Sequence, residues 1–188
     1  MWWLLVTLGY LLGSFPTSYI AGRFITGRDI RQMGDENAGA ANAYRELGRN
    51  TGIIVGIIDA AKGSFVVLIA KAVGATQPIV LTAGLAAVIG HNWPVYLGFK
   101  GGRGVSTALG VLLVVETVPM LILTLPTLVI LIFRRSVTPA MAFLFIGLAI
   151  LGWLLKVPPV LIAYGIALPV LIGITTLFRV RHKRLNRA

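Results

Sequence analysis

The sequence predicts an all-α integral membrane protein of about seven transmembrane helices, built as a single multi-span domain over residues 1–188. Three observations predict it. Hydrophobic residues make up 57% of the chain and charged residues 12%, against about 45–50% and about 25% in a soluble domain. The apolar segments are long rather than alternating, which indicates spanning helices. The basic residues sit between those segments and give a net charge of +11. In a soluble protein that charge would suggest nucleic acid; here it matches the positive-inside pattern, and no nucleic-acid partner is expected. The absence of cysteine excludes disulfides and thiol chemistry.

The first apolar run covers residues 2–20. Met1-Trp2-Trp3 lacks a basic leader and no small-residue cleavage site follows, so the run reads as a span beginning outside. Gly9 and Gly13 form a small-residue stripe suited to close helix packing. In Ser14-Phe15-Pro16 the proline frees a carbonyl beside a membrane serine.

Residues 23–50 turn polar, and within them 34–48 reads as a short cytoplasmic helix between spans one and two. Asn37 is the expected N-cap and Gly48 the expected stop. Asn42 and Arg45 stand i, i+3, a spacing that shares a face. Gly34 and Gly39 have the spacing of half a P-loop, but no Gly-Lys-Ser/Thr follows, so a nucleotide site is not expected.

The second span is 51–73, with Gly52 and Gly56 as a packing pair. Asp59 and Lys62 lie inside it one turn apart. Charges at membrane depth pair or serve a site, and the spacing allows both readings. The third span, 79–97, carries His91 and Asn92 in its last third. It runs into Lys100-Gly101-Gly102-Arg103-Gly104, where glycine amides beside two cations suggest an anion cradle. A charged turn that only fixes topology is the plainer reading.

A single helix over 105–133 would be ~43 Å long, too long for a ~30 Å hydrocarbon core without strong tilt. Glu116 and Pro119 mark a break instead. Charge decides between the two: with a break, every basic residue except Lys71 and Lys156 falls on one side, including the tail Arg179, Arg181, Lys183, Arg184 and Arg187. A re-entrant hairpin would keep the same parity. Spans over 138–155 and 160–178 complete the count, with the N-terminus out and the C-terminus in.

Ser14–Pro16, 34–48 and 91–104 therefore face one side. Only His91 and His182 are present, so no metal cluster is expected. Neither a Ser/His/Asp order nor a G-x-S-x-G elbow occurs. No aspartate follows His91 four or five residues on, so it is not the histidine of an H-x4-D acyltransferase.

Gly13-Ser14-Phe15-Pro16, the stretch 34–48, Asp59-Ala60-Ala61-Lys62-Gly63 and Gly90-His91-Asn92-Trp93-Pro94 through Lys100-Gly101-Gly102-Arg103-Gly104 resemble, in order, the motifs of the bacterial acyl-phosphate:glycerol-3-phosphate acyltransferases, the PlsY family. That resemblance implies transfer of a fatty acyl group from acyl phosphate to the 1-hydroxyl of glycerol 3-phosphate, giving lysophosphatidic acid and phosphate. It implies no cofactor, the bilayer and the two substrates as partners, and a monomer in the bacterial inner membrane with its site toward the cytoplasm. The chain departs from the family at Asp35-Glu36, at Ala41 where a threonine is common, and at Arg103 where a lysine is common. The family tail carries a histidine, an asparagine and a glutamate; here His182 and Asn186 are misspaced, and no role is carried onto them.

Acyl phosphate is already activated, so the site must align two phosphates and stabilise an oxyanion rather than provide a strong acid. Lys100, Arg103, Arg45 and the amides of Gly101 and Gly102 are the expected phosphate binders. Asn37 and Gly39 belong to the same substrate-binding set. Ser14, Asn37 and Asn42 are expected to orient the glycerol hydroxyl and the tetrahedral oxygen. Either His91 or a substrate phosphate oxygen takes the hydroxyl proton. A transporter of a phosphate-bearing molecule is the alternative, since broken helices and glycine loops also build transport sites.

Overall fold

The computed structural model describes residues 2–185, with side chains described for 2–178. Among these the regular structure is helical: α1 Trp2–Gly13, α2 Thr17–Thr26, α3 Ala40–Glu46, α4 Arg49–Ala72, α5 Gln77–Asn92, α6 Val105–Val115, α7 Thr117–Arg134, α8 Val137–Leu154 and α9 Pro159–Leu185. Short 3-10 turns cover Ile30–Gln32 and Val95–Leu97. Six stretches are long and apolar enough to cross a membrane: Trp2–Thr26, Arg49–Ala72, Gln77–Leu97, Thr117–Arg134, Val137–Leu154 and Pro159–Phe178. The seventh apolar segment, α6, has 11 residues and is therefore ~16 Å long, about half a hydrocarbon core.

Proline sets both breaks in the apolar runs. Pro16 has no amide hydrogen, so α1 stops at Gly13 and α2 restarts at Thr17. At the second break Glu116 leaves the helical region (φ −123°, ψ 55°). Pro119 then sits in the first turn of α7, where a missing amide hydrogen costs nothing. The break expected between residues 105 and 133 is thus present.

Small residues decide how the helices meet. A Cβ on Gly9 would lie 2.6 Å from the Ala83 carbonyl oxygen, and one on Gly13 would strike the Ala87 backbone. This stripe seats α1 on α5, as a small-residue pattern predicts. Gly63 and Gly110 play the same part between α4 and α6, against Thr107 and Ala60. Gly52 and Gly56 act differently from expectation. They face Tyr44 and Ala40 and make a shallow bed for α3 rather than a contact between spans.

Helix α3 begins later than expected: Gly39, not Asn37, is its N-cap. Gly48, with φ +97°, ends it as predicted. One apolar core joins Val67, Val88, Val111, Leu112, Leu148 and Leu168. A second, smaller one joins Ile30, Ala38 and Leu97 beneath Tyr19, Met33 and Leu47, and it ties the loop after α2 to the loop after α5. Large side chains such as Phe24, Ile57 and Leu125 remain outside on the helix surfaces, where lipid is their solvent.

Candidate active site

The three polar segments, together with the inside of α4, meet at one small cleft partly open to solvent. Ser14, Phe15, Pro16 and Thr17 enter from the α1–α2 break, Ala38 from the loop before α3, Asp59 from α4, and His91 from the end of α5. Pro94, Leu97, Gly101 and Gly102 close it from the loop that follows. The break between α1 and α2 places Ser14 and Thr17 at one bend of the first span.

Asp59 is the hub. Its Oδ1 accepts from Thr17 Oγ1 at 3.0 Å, lies 2.9 Å from Lys62 Nζ and 3.7 Å from His91 Nδ1. The Asp59 side chain is 2% exposed and that of Lys62 9%. Lys62 also donates to the Phe15 carbonyl at 3.1 Å. A pair this deep persists because its remaining lone pairs and protons have partners. Of the two readings the sequence allowed for Asp59 and Lys62, the pairing is present, and Asp59 also lines the cleft. His91 lacks an aspartate close to it in sequence, but α4 places one beside its Nδ1 edge.

The glycine loop is not built as expected. The amides of Gly101 and Gly102, anticipated as anion donors, donate instead to the carbonyls of Asn92 (3.2 Å) and His91 (3.0 Å). What demands glycine here is close approach. A Cβ on Gly102 would strike His91 Nε2 and lie 2.9 Å from the Ala38 carbonyl oxygen, and one on Gly101 would run into Pro94. Both residues remain in the cleft wall, between an exposed Lys100 and a half-buried Arg103. Gly104, at φ +85°, then caps α6, so the first-turn amides of that helix open beside the two cations.

Asn42 differs from its expected role. It is fully buried, and Nδ2 donates to the carbonyls of Ile30 (3.1 Å), Met33 (3.0 Å) and Asn37 (3.0 Å). Its Oδ1 accepts from the Asp35 amide at 3.0 Å. These bonds occupy the amide, so Asn42 shapes the 30–37 loop and does not reach a ligand. Arg45, one turn on, is exposed and pairs with the carboxylate of Asp35, the residue whose amide donates to Asn42. Asn37 is half-buried, its Nδ2 over the Gly39 Cα. Neither lines the cleft. Ser14 does, with its hydroxyl donating to the Tyr10 carbonyl at 2.8 Å, an arrangement that leaves lone pairs to accept.

Asp35 and Glu36, where the chain departs from the family, are exposed, and Asp35 pairs with Arg45. Arg31 pairs with Asp29 at 2.7 Å and reaches the Leu97 carbonyl at 2.8 Å. The Arg31 side chain holds the Asp29 carboxyl below its usual range, against the opposing effect of burial. Thr17 and Ala38 escaped sequence reasoning. A hydroxyl one residue after a membrane proline was the available signal for Thr17, and Ala38 offers none. The tail cations with His182 and Asn186 lie outside the residues whose side chains are described.

The family model described as glycerol-3-phosphate acyltransferase matches residues 3–187. Glycerol-3-phosphate acyltransferase 4 of Dehalococcoides mccartyi is 50% identical over 182 residues, covering 97% of this chain and 98% of the relative. The crystal structure of PlsY (YgiH), an integral membrane glycerol 3-phosphate acyltransferase, in its glycerol 3-phosphate form superimposes with a TM-score of 0.85 at 33% identity, over 99% of this chain and 93% of that one. Its lysophosphatidic acid form gives 0.79 at 31% identity, over the same shares of the two chains.

Proposed function

The chain belongs to the glycerol-3-phosphate acyltransferase family and is an integral membrane acyltransferase; on that premise we propose that its acyl donor is acyl phosphate and its cleft the place of transfer. The 1-hydroxyl oxygen of glycerol 3-phosphate attacks the acyl carbonyl carbon. The bond from that carbon to the phosphate oxygen breaks, and phosphate leaves with the bonding pair. The hydroxyl proton passes to His91 Nε2 or to a phosphate oxygen. The products are 1-acylglycerol 3-phosphate, which is lysophosphatidic acid, and inorganic phosphate.

One observation carries this reading: Ser14, the Asp59–His91 pair and Gly101–Gly102 line a single cleft. It holds a candidate hydroxyl-orienting group and a candidate base, with Lys100 and Arg103 on either side of the glycines. Those two cations and the first turn of α6 are the phosphate binders, joined by Arg45 once it leaves Asp35. Asn37 and Gly39 shape the glycerol-phosphate side. The lipid-facing helices supply a path for the acyl chain, and an activated donor suits a site without a strong acid.

The cation pattern supports seven crossings with α3, the cleft and the C-terminus on the cytoplasmic face of a bacterial inner membrane; the working unit we propose is a monomer. The chain has no cysteine, so single-cysteine labelling at Lys156 and at Arg135 tests that orientation directly. Reaction at both positions from the same side would overturn it.

Purified protein incubated with acyl phosphate and glycerol 3-phosphate should release phosphate, and acyl-CoA should not replace the donor. No release, or equal rates with acyl-CoA, would overturn the donor assignment. Lys100→Ala and Arg45→Ala should abolish turnover while the protein stays folded; near-normal rates would remove those residues from the site.

A further inference from the structure

We infer that Asp35 sets the affinity for phosphate ligands by competing with them for Arg45. This rests on the reading of Arg45 as one of the phosphate binders. The chain carries 17 basic and only 6 acidic residues, yet Asp35, Glu36 and Glu46 all lie in or just before α3. A protein that gathers two anionic substrates gains no attraction from carboxylates there. One of them sits on the guanidinium itself: Asp35 Oδ2 pairs with Arg45. The backbone builds that position. The Asp35 amide donates to the buried Asn42 Oδ1 at 3.0 Å. Its neighbours Gly34 (φ +51°) and Glu36 (φ +57°) are both left-handed, a conformation uncommon for a glutamate. A Cβ on Gly34 would strike Asn42 Oδ1 and Glu46 Oε1, so the turn is packed against α3. Arg45 is fixed from the other side, because α3 lies on Gly52, where an added Cβ would strike the Tyr44 backbone.

The pair forms at the surface. Side-chain exposure is 48% for Arg45 and 44% for Asp35, so water and salt reach it, and an incoming phosphate can take the guanidinium from it. A phosphate monoester carries up to two charges and presents more acceptor oxygens than a carboxylate. Such competition weakens apparent affinity in proportion to the fraction of molecules whose guanidinium is held by Asp35, and it leaves the bound complex unchanged. Substrate and product share the group concerned. Glycerol 3-phosphate brings its phosphate from water. Lysophosphatidic acid keeps that phosphate and is retained in the bilayer by its acyl chain. A carboxylate waiting beside Arg45 weakens both by the same factor, so a product that the membrane retains is shed more readily. An ion pair serving only to hold α3 in place would leave both affinities untouched.

The test removes the carboxylate and keeps the loop. Asp35→Asn and Asp35→Ser both retain the backbone amide that Asn42 holds, and where one fails to fold the other decides. In detergent-solubilised protein supplied with acyl phosphate, the KM for glycerol 3-phosphate should fall about three- to fivefold, the size of an exposed ion pair, with kcat within about twofold of wild type. The apparent inhibition constant of lysophosphatidic acid should fall by the same factor. Glu46→Gln removes a charge next to Arg45 without touching the pair and should leave both constants close to wild type. An unchanged or higher KM, a fall in KM without one in the inhibition constant, or an equal fall with Glu46→Gln would each overturn the inference. Near-normal turnover in Arg45→Ala would remove Arg45 from the site and the inference with it. Wild-type protein that releases no phosphate would instead overturn the acyl-transfer reading itself.

Discussion

Lys62 Nζ donates to the Phe15 carbonyl at 3.1 Å, so a cation inside α4 holds the backbone bend that Pro16 creates in the first span. The same ammonium pairs with Asp59. One side chain therefore links a helix break, a buried carboxylate and the cleft wall.

Replacing Lys62 with Met should leave Asp59 as a buried charge beside Thr17 and His91, without its ammonium partner. Loss of one partner from a buried pair costs about 3–5 kcal/mol. A marked drop in the thermal unfolding midpoint in detergent is expected, most of it recovered when Asp59→Asn is added. A single variant as stable as the wild type would show that the pair does not hold the bend.

Gly102→Ala should act on turnover more than on stability. The new methyl meets His91 Nε2 and the Ala38 carbonyl oxygen, and the imidazole is the more movable of the two. Misplacing a reacting group by about 1 Å costs on the order of 10² in rate. Expected is a fall in kcat of that size with a cooperative unfolding transition retained, measured by phosphate release and by thermal melts.

Asn42→Ala should loosen the 30–37 loop. The substitution removes the bonds of Asn42 to the Ile30, Met33 and Asn37 carbonyls and to the Asp35 amide, at about 0.5–1.5 kcal/mol per hydrogen bond lost, while the Ile30 and Met33 carbonyls keep their bonds from the Met33 and Glu36 amides. Limited proteolysis should cut this loop faster than in the wild type. An unchanged cleavage rate would argue that the loop is held by other contacts.

Asp29 provides a pH dependence with a defined sign. Its carboxyl is held below its usual range, chiefly by its bond to Arg31, so the unfolded chain binds the proton more readily than the folded one. The stabilisation is complete above the ordinary carboxylate value of about 4 and is lost as pH falls through the depressed folded value. Thermal melts from neutral to acid pH should show this loss in the wild type, and Asp29→Asn should flatten that part of the curve.

The sequence by itself determined the solvent and the helices, because transfer of an apolar run into lipid is a property of that run alone. It also located the break at Glu116–Pro119 and the freed carbonyl beside Pro16, since proline acts on its own backbone, and it selected the packing glycines of α1; that the first span breaks outright at Pro16 came from the structure. Ser14, His91, Gly101 and Gly102 could be named as site residues because polar groups and glycines at the ends of apolar runs are conspicuous.

Only the tertiary structure decided what those groups face. The amides of Gly101 and Gly102 turn to their own chain's carbonyls, and Asn42 binds the loop before it. Hydrogen bonding is a matter of direction, and a spacing along the chain cannot fix direction across a loop. The partner of His91 lies on another helix, brought there by the seat of α1 on α5 and of α4 against α6. An aspartate that reads in sequence as half of an i, i+3 ion pair thus becomes, once the helices pack, the neighbour of a histidine in a cleft.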